Sequence, residues 1–100
     1  MLDKNVEGKN ILITGAGGSI GSELCRQIIN LNPTCLVLFE HSELNLYQIN
    51  LELKNLCHKK NLTIDIVPVL ASINNMNRVE ETIKKFNIET IYHAAAYKHV

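Results

Sequence analysis

Three glycines at a fixed spacing have the clearest chemical meaning in this sequence. Gly15, Gly18 and Gly21 follow a short apolar run and open a stretch of helical periodicity. The first glycine permits a sharp turn out of a strand, the second has no Cβ to keep a pyrophosphate from the backbone, and the third lets the helix pack closely on the sheet. Free N–H groups at the start of the helix would face the phosphates. Placed between a strand and a helix, the pattern favours a dinucleotide-binding loop over a glycine-rich turn without a ligand.

An acidic residue lies where the ribose of such a dinucleotide would bind. Glu40 comes 19 residues after Gly21, at the end of the second apolar run. A carboxylate there accepts hydrogen bonds from the adenosine ribose hydroxyls and repels a 2′-phosphate. We therefore expect NAD as the cofactor, with NADP as the alternative because a protonated His41 would soften the discrimination. The other interpretation, a solvated glutamate at a strand end, is less favoured beside the glycine loop.

Two further strand ends belong to the same predicted site. Ser72 and Ile73 follow the third apolar run, in the position that flanks the adenine. The fourth run ends in three alanines, which allow either a flat ring or a sugar to lie near the backbone, or tight packing against a helix. His93 and His99 have no nearby carboxylate or cysteine partner, so we expect no metal site.

The elements that position these residues alternate along the chain. Apolar runs predict strands over 10–14, 35–39, 63–70 and 89–93, and helical periodicity fills the intervals. The order β-α-β-α-β-α-β predicts parallel strands with right-handed crossovers. We therefore expect an α/β fold, half of a Rossmann-type doubly wound parallel sheet with strand order 3-2-1-4. Pro68 predicts a bulge or a strand end within the third strand.

The second helix carries two apolar stripes. We expect Ser42 to cap it. On a helical wheel the first stripe contains Leu44, Tyr47 and Leu51, and the second, roughly opposite, runs from Leu46 through Ile49 to Leu53 and Leu56. One stripe would pack on the sheet. The other is either an interface or a set of scattered surface side chains.

Composition narrows the classes of protein. The 100 residues carry ten basic and ten acidic side chains, which argues against nucleic acid or an anionic membrane as the main partner. No apolar run approaches the roughly 18 residues of a membrane span, and the N-terminus does not resemble a signal peptide. Three cysteines without a close pair fit a reducing compartment, so we expect a cytoplasmic protein. Residues 1–8 are expected to form a lead-in, and residues 9–100 a half-domain cut from a longer enzyme.

The glycine loop, Phe39-Glu40-His41-Ser42-Glu43 and His93-Ala94-Ala95-Ala96-Tyr97-Lys98-His99-Val100 together resemble a known family. They are similar to the cofactor half of the extended short-chain dehydrogenase/reductases. More narrowly, they resemble the CapD-type polysaccharide-biosynthesis nucleotide-sugar 4,6-dehydratases. The resemblance runs from Gly8 to Val100. The glycine pattern is shared by the whole superfamily, whereas the last segment is more specific.

The resemblance implies a role for each matching position. The pyrophosphate would be held by Gly15, Gly17, Gly18, Ser19 and Ile20. Glu40 would bind the adenosine ribose, with His41 and Ser42 beside it. Ser72 and Ile73 would flank the adenine, Ala94, Ala95 and Ala96 would line the cofactor, and Lys98 would reach the nicotinamide ribose or the substrate. Two positions depart from the common pattern, since Glu40 and Ser72 each stand where many members have aspartate.

The resemblance also implies a reaction and a partner. The substrate would be a UDP-N-acetylhexosamine, which passes hydride from C4 to the cofactor, loses water across C5 and C6, and receives the hydride at C6. The acid–base residues of the family lie beyond the fourth strand, so no catalytic residue is assigned and we expect these residues alone to be inactive. A nucleotide-sugar 4-epimerase or reductase and a non-catalytic dinucleotide-binding module remain alternatives.

Assembly and location are the remaining expectations. An unpaired fourth strand favours self-association, so we expect a homo-oligomer. Residues 5–9 resemble the junction before the catalytic domain of membrane-anchored members. This would place the domain in the cytoplasm or on the cytoplasmic face of the inner membrane.

Overall fold

The computed structural model describes residues 2–94. Helices and strands alternate along them after a short first helix. The elements are α1 (Leu2–Val6), β1 (Asn10–Thr14), α2 (Ser19–Ile29), β2 (Cys35–Glu40), α3 (Glu43–Lys59), β3 (Asp65–Leu70), α4 (Met76–Lys85) and β4 (Thr90–His93).

The four strands form one parallel sheet in the order β3-β2-β1-β4. This confirms the predicted α/β class and the strand order 3-2-1-4. All six residues of β2 are buried, because β2 lies between two other strands and both faces of the sheet carry helices. A strand buried on both faces reads as a continuous apolar run, and this run located β2 in the sequence.

The core has one layer on each side of the sheet. On one face, Ile11, Ile13, Leu36 and Leu38 pack against buried residues of α2 and α3. On the other face, alternate strand residues pack against α4, whose Val79 is buried there. Helices on both faces of a parallel sheet are the mark of the doubly wound Rossmann-type fold.

The edge position of β3 explains its proline. Pro68 pairs in unbroken register with Leu38, so the predicted bulge or strand end is wrong. Within the described residues β3 has β2 as its neighbour on one side. Proline is tolerated in an edge strand because the missing N–H would face away from the ladder.

The lead-in segment contributes to the core. α1 places Val6 among the fully buried residues. The hydroxyl of Thr90 in β4 donates to the carbonyl of Asn5 at 2.9 Å, and the Lys9 N–H donates back to the Val6 carbonyl. Residues before β1 therefore pack against the sheet. The segment is too short to show the apolar periodicity from which a helix is predicted.

An asparagine in the left-handed conformation follows each of the three longer helices. Asn32, Asn61 and Asn87 have φ of 62°, 57° and 52°. Asparagine adopts this conformation more readily than other residues with a Cβ. α3 and α4 also end with the 6→1 hydrogen bond of the Schellman motif. The Leu62 N–H donates to the Cys57 carbonyl after α3, and the Ile88 N–H donates to the Ile83 carbonyl after α4. These turns redirect the chain into the next strand.

The two stripes of α3 have opposite environments, as predicted. Leu46, Ile49 and Leu53 are buried, whereas Leu44, Tyr47 and Leu51 are exposed. Leu56 is partly buried against the same core as Leu53. Among residues 2–94, no helix has both the length and the apolar character needed to cross a membrane.

Burial raises the pKa of all three cysteine thiols. All three cysteines are buried, and desolvation raises the pKa of Cys25 to about 12. A thiolate is the reactive form, so Cys25 should resist iodoacetamide at pH 8 in the folded protein and react after unfolding in urea. Mass spectrometry of the labelled protein measures this, and rapid labelling of Cys25 in the native state would show that the core is open.

Candidate functional site

The glycine loop turns over the carboxyl end of β1 and is fastened to β2. Gly15 has φ of 68°, a left-handed conformation that glycine adopts without steric cost. The N–H groups of Gly15 and Ala16 both donate to the Phe39 carbonyl, at 2.8 and 3.3 Å, and the Gly18 N–H donates to Gly15 at 3.1 Å. The sharp turn expected at Gly15 is present.

Gly21 brings α2 against this turn. A Cβ on Gly21 would lie 1.9 Å from the carbonyl oxygen of Gly15 and 3.0 Å from the Cα of Ala16. No other residue fits in that space. The close approach expected of Gly21 is therefore present, with the loop backbone as its immediate neighbour.

The start of α2 offers free backbone N–H groups. Its N-cap, Gly18, supplies no side-chain hydrogen bond, and its first turn contains no acidic residue. By contrast, Ser42 caps α3 and Asn75 caps α4 through side-chain oxygens. An uncapped helix start with its positive dipole end is suited to a phosphate group. The residues present thus fit the pyrophosphate of a dinucleotide.

A cavity of about 420 Å³ opens beside the loop at the carboxyl ends of the strands. Four predicted site residues line it, namely Gly15, His41, Ser72 and Ile73; Phe39, Ala71 and Asn74 complete the lining. Sequence reasoning missed the last three, although their positions next to predicted residues at strand ends could have indicated them. Ligands of doubly wound sheets bind in this crevice outside the strand ends. The cavity therefore lies where the resemblance would place an adenosine.

Glu40 is the last residue of β2, and its side chain is buried beside the glycine loop. Only 1% of the surface of Glu40 is exposed to solvent. One carboxylate oxygen accepts the Gly17 N–H at 2.8 Å and the other accepts the Ser42 N–H at 3.0 Å. The exposed side chain of His41 lies close by, with Nδ1 3.5 Å from the second oxygen. A buried carboxylate requires such hydrogen bonds, and here backbone donors supply them.

Gly17 packs on α3. A Cβ at this position would lie 2.6 Å from the Cβ of Asn45. Because the Gly17 N–H donates to Glu40, this amide does not face the cavity as a free donor. The contacts of Gly17 thus join the loop to α3. No signal in the sequence pointed to Asn45.

A second, smaller cleft of about 270 Å³ lies between α2 and α3. Gly17, Gly18 and Ser19 line it together with Arg26 and Glu52. Arg26 donates to both carboxylate oxygens of Glu52, and this bond lowers the pKa of Glu52. The guanidinium is thus paired with a carboxylate rather than presented to a ligand.

Ser42 acts as a helix cap. Its hydroxyl accepts the Asn45 N–H at 3.3 Å, so the expected cap is present. Ser42→Ala should lower the free energy of unfolding by about 1 kcal/mol, the usual cost of losing such a cap. Urea denaturation followed by circular dichroism measures the change. Ser22→Ala, which removes an exposed hydroxyl bond to Ser19, is the control, and equal effects of the two variants would contradict the capping role.

The end of β4 lies beside the start of the glycine loop. The Thr14 hydroxyl is 3.3 Å from His93 Nδ1, a contact between adjacent strand ends that sequence reasoning missed. Ala94 is buried. The predicted positions Ala95, Ala96 and Lys98 lie outside the described residues.

Comparison with known proteins identifies the family of this chain. Residues 11–100 match the family described as "Polysaccharide biosynthesis protein". The chain is 41% identical to the capsular polysaccharide biosynthesis protein CapD of Staphylococcus aureus over all of its 100 residues, which span 16% of that protein. It is 26% identical to the UDP-N-acetylglucosamine 4,6-dehydratase (inverting) of Campylobacter jejuni, with 93% of this chain and 25% of the relative covered.

A solved structure has the same fold. The X-ray structure of Pen from Bacillus thuringiensis superposes with a TM-score of 0.78 at 28% sequence identity, covering 96% of this chain and 28% of Pen. The chain thus spans between 16% and 28% of the length of these three relatives. The family match begins at the second residue of β1 and includes the glycine loop and the residues that line the cavity. This chain belongs to the polysaccharide biosynthesis protein family, as a CapD-like member with a Rossmann-type fold.

Proposed function

We propose that the chain is the NAD(P)-binding portion of a UDP-N-acetylglucosamine 4,6-dehydratase that supplies sugars for surface polysaccharides or glycans. The observation that carries the proposal is the uncapped start of α2 beneath the glycine loop, next to the 420 Å³ cavity at the strand ends. The likeness to the Campylobacter jejuni dehydratase supports the choice of substrate and reaction.

The residues divide the work of binding. The N–H groups of Ser19, Ile20 and Gly21 in the first turn of α2 would receive the pyrophosphate. Ser72 and Ile73 would contact the adenine. Ala94 directly follows β4. Together with Ala95 and Ala96 it would line the rest of the cofactor. When bound, the nicotinamide supplies a hydride acceptor and donor; the acid–base residues are to be sought in the longer protein.

Binding is tested first by calorimetric titration with NAD+ and NADP+. We expect binding of both, with NAD+ preferred because an acidic residue at the end of β2, here Glu40, would disfavour a 2′-phosphate. Equal affinity would remove the basis for NAD as the cofactor. Absence of binding to either would overturn the proposed site.

A charge placed at the start of α2 provides a sharper test. Ile20 is exposed and lies in the first turn. Ile20→Glu should weaken NAD+ binding at least about tenfold because its carboxylate would lie near the phosphates. The same carboxylate should leave the helix as stable or raise its stability by about 0.3–1 kcal/mol. Ile20→Gln is the matched neutral control. An equal loss of affinity in both variants would show that the phosphates do not bind here.

The reaction is tested in a longer protein that carries these residues. Incubation with UDP-N-acetylglucosamine should give a 4-keto-6-deoxy sugar nucleotide, detected by mass spectrometry as the loss of one water. A 4-epimer of unchanged mass would instead favour the epimerase alternative. NAD+ binding without conversion would favour the non-catalytic module.

The proposal extends to the assembly and the cell compartment. We place the half-domain 9–100 in the cytoplasm, or at the cytoplasmic face of the inner membrane, as part of a homo-oligomer. β4 lies at the edge of the described sheet opposite β3, so self-association of the isolated chain through this strand is expected. Sedimentation velocity measures it, and a monomer at micromolar concentration would contradict this expectation.

A further inference from the structure

Three of the six large apolar side chains that are exposed among the described residues lie on one face of α3. Leu44 and Tyr47 are each 64% exposed, and Leu51 is 47% exposed. They follow one another at intervals of three and four residues, so they form one apolar seam along the outer face of the helix. A groove of about 470 Å³ runs beside Tyr47 and Leu51 and is also lined by Gln48 and Asn55. A contiguous exposed seam of this kind marks an interaction surface.

The charges on this face are separated along the helix. Glu43 precedes the seam in the first turn of α3, and Lys54 and His58 continue it toward the last turn. All three side chains are exposed. Glu52, the other carboxylate of the helix, is bonded to Arg26 of α2, so Glu43 supplies the negative charge of the outer face. The seam has an acidic start, an apolar middle and a basic end, and such a surface is complementary to a reversed copy of itself.

The spacing of these residues matches a two-fold axis. Two copies of α3 that pack antiparallel exchange residues about a common point on the helix. The midpoint between Tyr47 and Leu51 is residue 49, and the midpoint between Glu43 and Lys54 falls half a residue earlier. Because a helix rises about 1.5 Å per residue, the two midpoints lie within about 1 Å of each other. One arrangement thus places Tyr47 against Leu51 of the second copy and Glu43 beside its Lys54, and each contact occurs twice.

We propose that α3 pairs antiparallel with α3 of a second copy of this chain, with Tyr47 and Leu51 at the centre of the contact and Glu43 and Lys54 at its ends. Tyr47 of the second copy would lie against the groove beside Leu51. The charges select the antiparallel arrangement, since a parallel pair would bring like charges together. The contact spans about three helical turns, so it belongs to the small and weak class of interfaces.

This surface is separate from the edge of β4. α3 packs on β2 and β3, whereas β4 lies at the opposite edge of the described sheet from β3. One assembly can therefore contain both contacts. The inference rests on the proposed function only in that the latter includes a homo-oligomer; it needs neither the cofactor nor the substrate.

Sedimentation equilibrium of charge variants tests the pairing. Glu43→Lys and Lys54→Glu should each raise the dissociation constant of the α3 dimer about fivefold or more, because each turns two attractions into two repulsions. The double variant Glu43→Lys/Lys54→Glu reverses both partners and should return to within about twofold of the original protein. Lys84→Glu, at an exposed position of α4, is the control for net charge and should leave association unchanged. Failure of the double variant to recover would overturn the antiparallel pairing.

Cross-linking tests the position of the two-fold axis. Gln48 is exposed and lies within one residue of the proposed axis, so the thiols of two Gln48→Cys chains would lie close together in the dimer. A short bis-maleimide should join them, while the three native cysteines are buried. Lys84→Cys is the matched control on α4 and should give few cross-linked chains. A yield in Gln48→Cys no higher than in this control would overturn the proposal.

A charge in the middle of the seam tests the apolar contact. Leu51→Glu should abolish the α3 dimer, and its melting temperature should stay close to that of the original protein because the side chain is exposed. Unchanged association in Leu51→Glu would show that the chains meet through another surface, such as the edge of β4, and would overturn the proposal. Burial of the Gln48→Cys thiol in a longer, monomeric protein would also overturn it, since another part of that chain would then cover the face. Titration with NAD+ decides the proposed cofactor site independently of either result.

Discussion

Replacing Gly21 with alanine is expected to lower the free energy of unfolding by at least about 3 kcal/mol, the upper part of the range for overpacked sites. The new Cβ would lie 1.9 Å from the carbonyl oxygen of Gly15. The obstacle is backbone, so no side-chain rotation relieves it. Either α2 moves away from the sheet or the turn at Gly15 opens, and both displace the loop. NAD+ binding should therefore be lost together with stability.

A second glycine provides the control for this prediction. Gly8 also has a left-handed φ, of 69°, but nothing lies within 4 Å of its Cβ position. Gly8→Ala measures the conformational cost alone, about 1–2 kcal/mol, and should leave NAD+ affinity unchanged. Urea denaturation gives the two free energies and calorimetry gives the two affinities. If Gly21→Ala costs no more than Gly8→Ala, the close approach of α2 to the loop does not constrain the fold.

The roles of the glycines show how far sequence reasoning reaches. The turn at Gly15 and the close packing at Gly21 were predictable because both depend on local geometry between adjacent elements. The contacts of Gly17 were not predictable. Gly17 packs against Asn45 of the next helix, and its N–H donates to the carboxylate of Glu40. Such contacts depend on how β2 and α3 pack beside the loop, and the local patterns of a single sequence do not show this packing.

The layered fold was predictable for a related reason. Strands buried on both faces form continuous apolar runs, and helices with one apolar stripe have a period of about 3.6 residues; a sequence displays both directly. The prediction of a bulge or a strand end at Pro68 was wrong. Predicting its regular pairing would have required knowing that β3 lies at the edge of the sheet and which way the backbone of Pro68 faces. The short helix before β1 was missed because five residues are too few to show a period.

The candidate site divides in the same way. Its cavity residues follow strand ends, so the strand order already predicts that Gly15, His41, Ser72 and Ile73 meet. The acidic residue at the end of β2 was also identified, but its orientation was not. A glutamate side chain has enough reach to turn under the loop, and the two N–H groups it meets there are set by the backbone of the loop and the β2–α3 turn. Residue type and position thus predicted a dinucleotide site, whereas the contact made by this carboxylate required the structure.

The two faces of α3 give the second large prediction. Leu53 is fully buried between α3 and the sheet, whereas Leu51, two residues earlier, is 47% exposed. Leu53→Ala should lower the free energy of unfolding by about 2–5 kcal/mol, since a cavity remains where the side chain was. Leu51→Ala removes the same atoms from the same helix and should cost less than about 1 kcal/mol, in line with other surface positions.

The comparison also separates the fold from the site. Leu53 lies in the middle of α3, more than two turns from Ser42 and Asn45, which lie at the start of the helix beside the glycine loop. NAD+ affinity of the folded fraction should therefore change little in Leu53→Ala, even though stability falls strongly. Urea denaturation and calorimetry below the unfolding transition measure the two quantities in one protein. A large loss of affinity in Leu53→Ala would mean that the packing of α3 along its whole length, and not the local contacts at its start, holds the glycine loop in place.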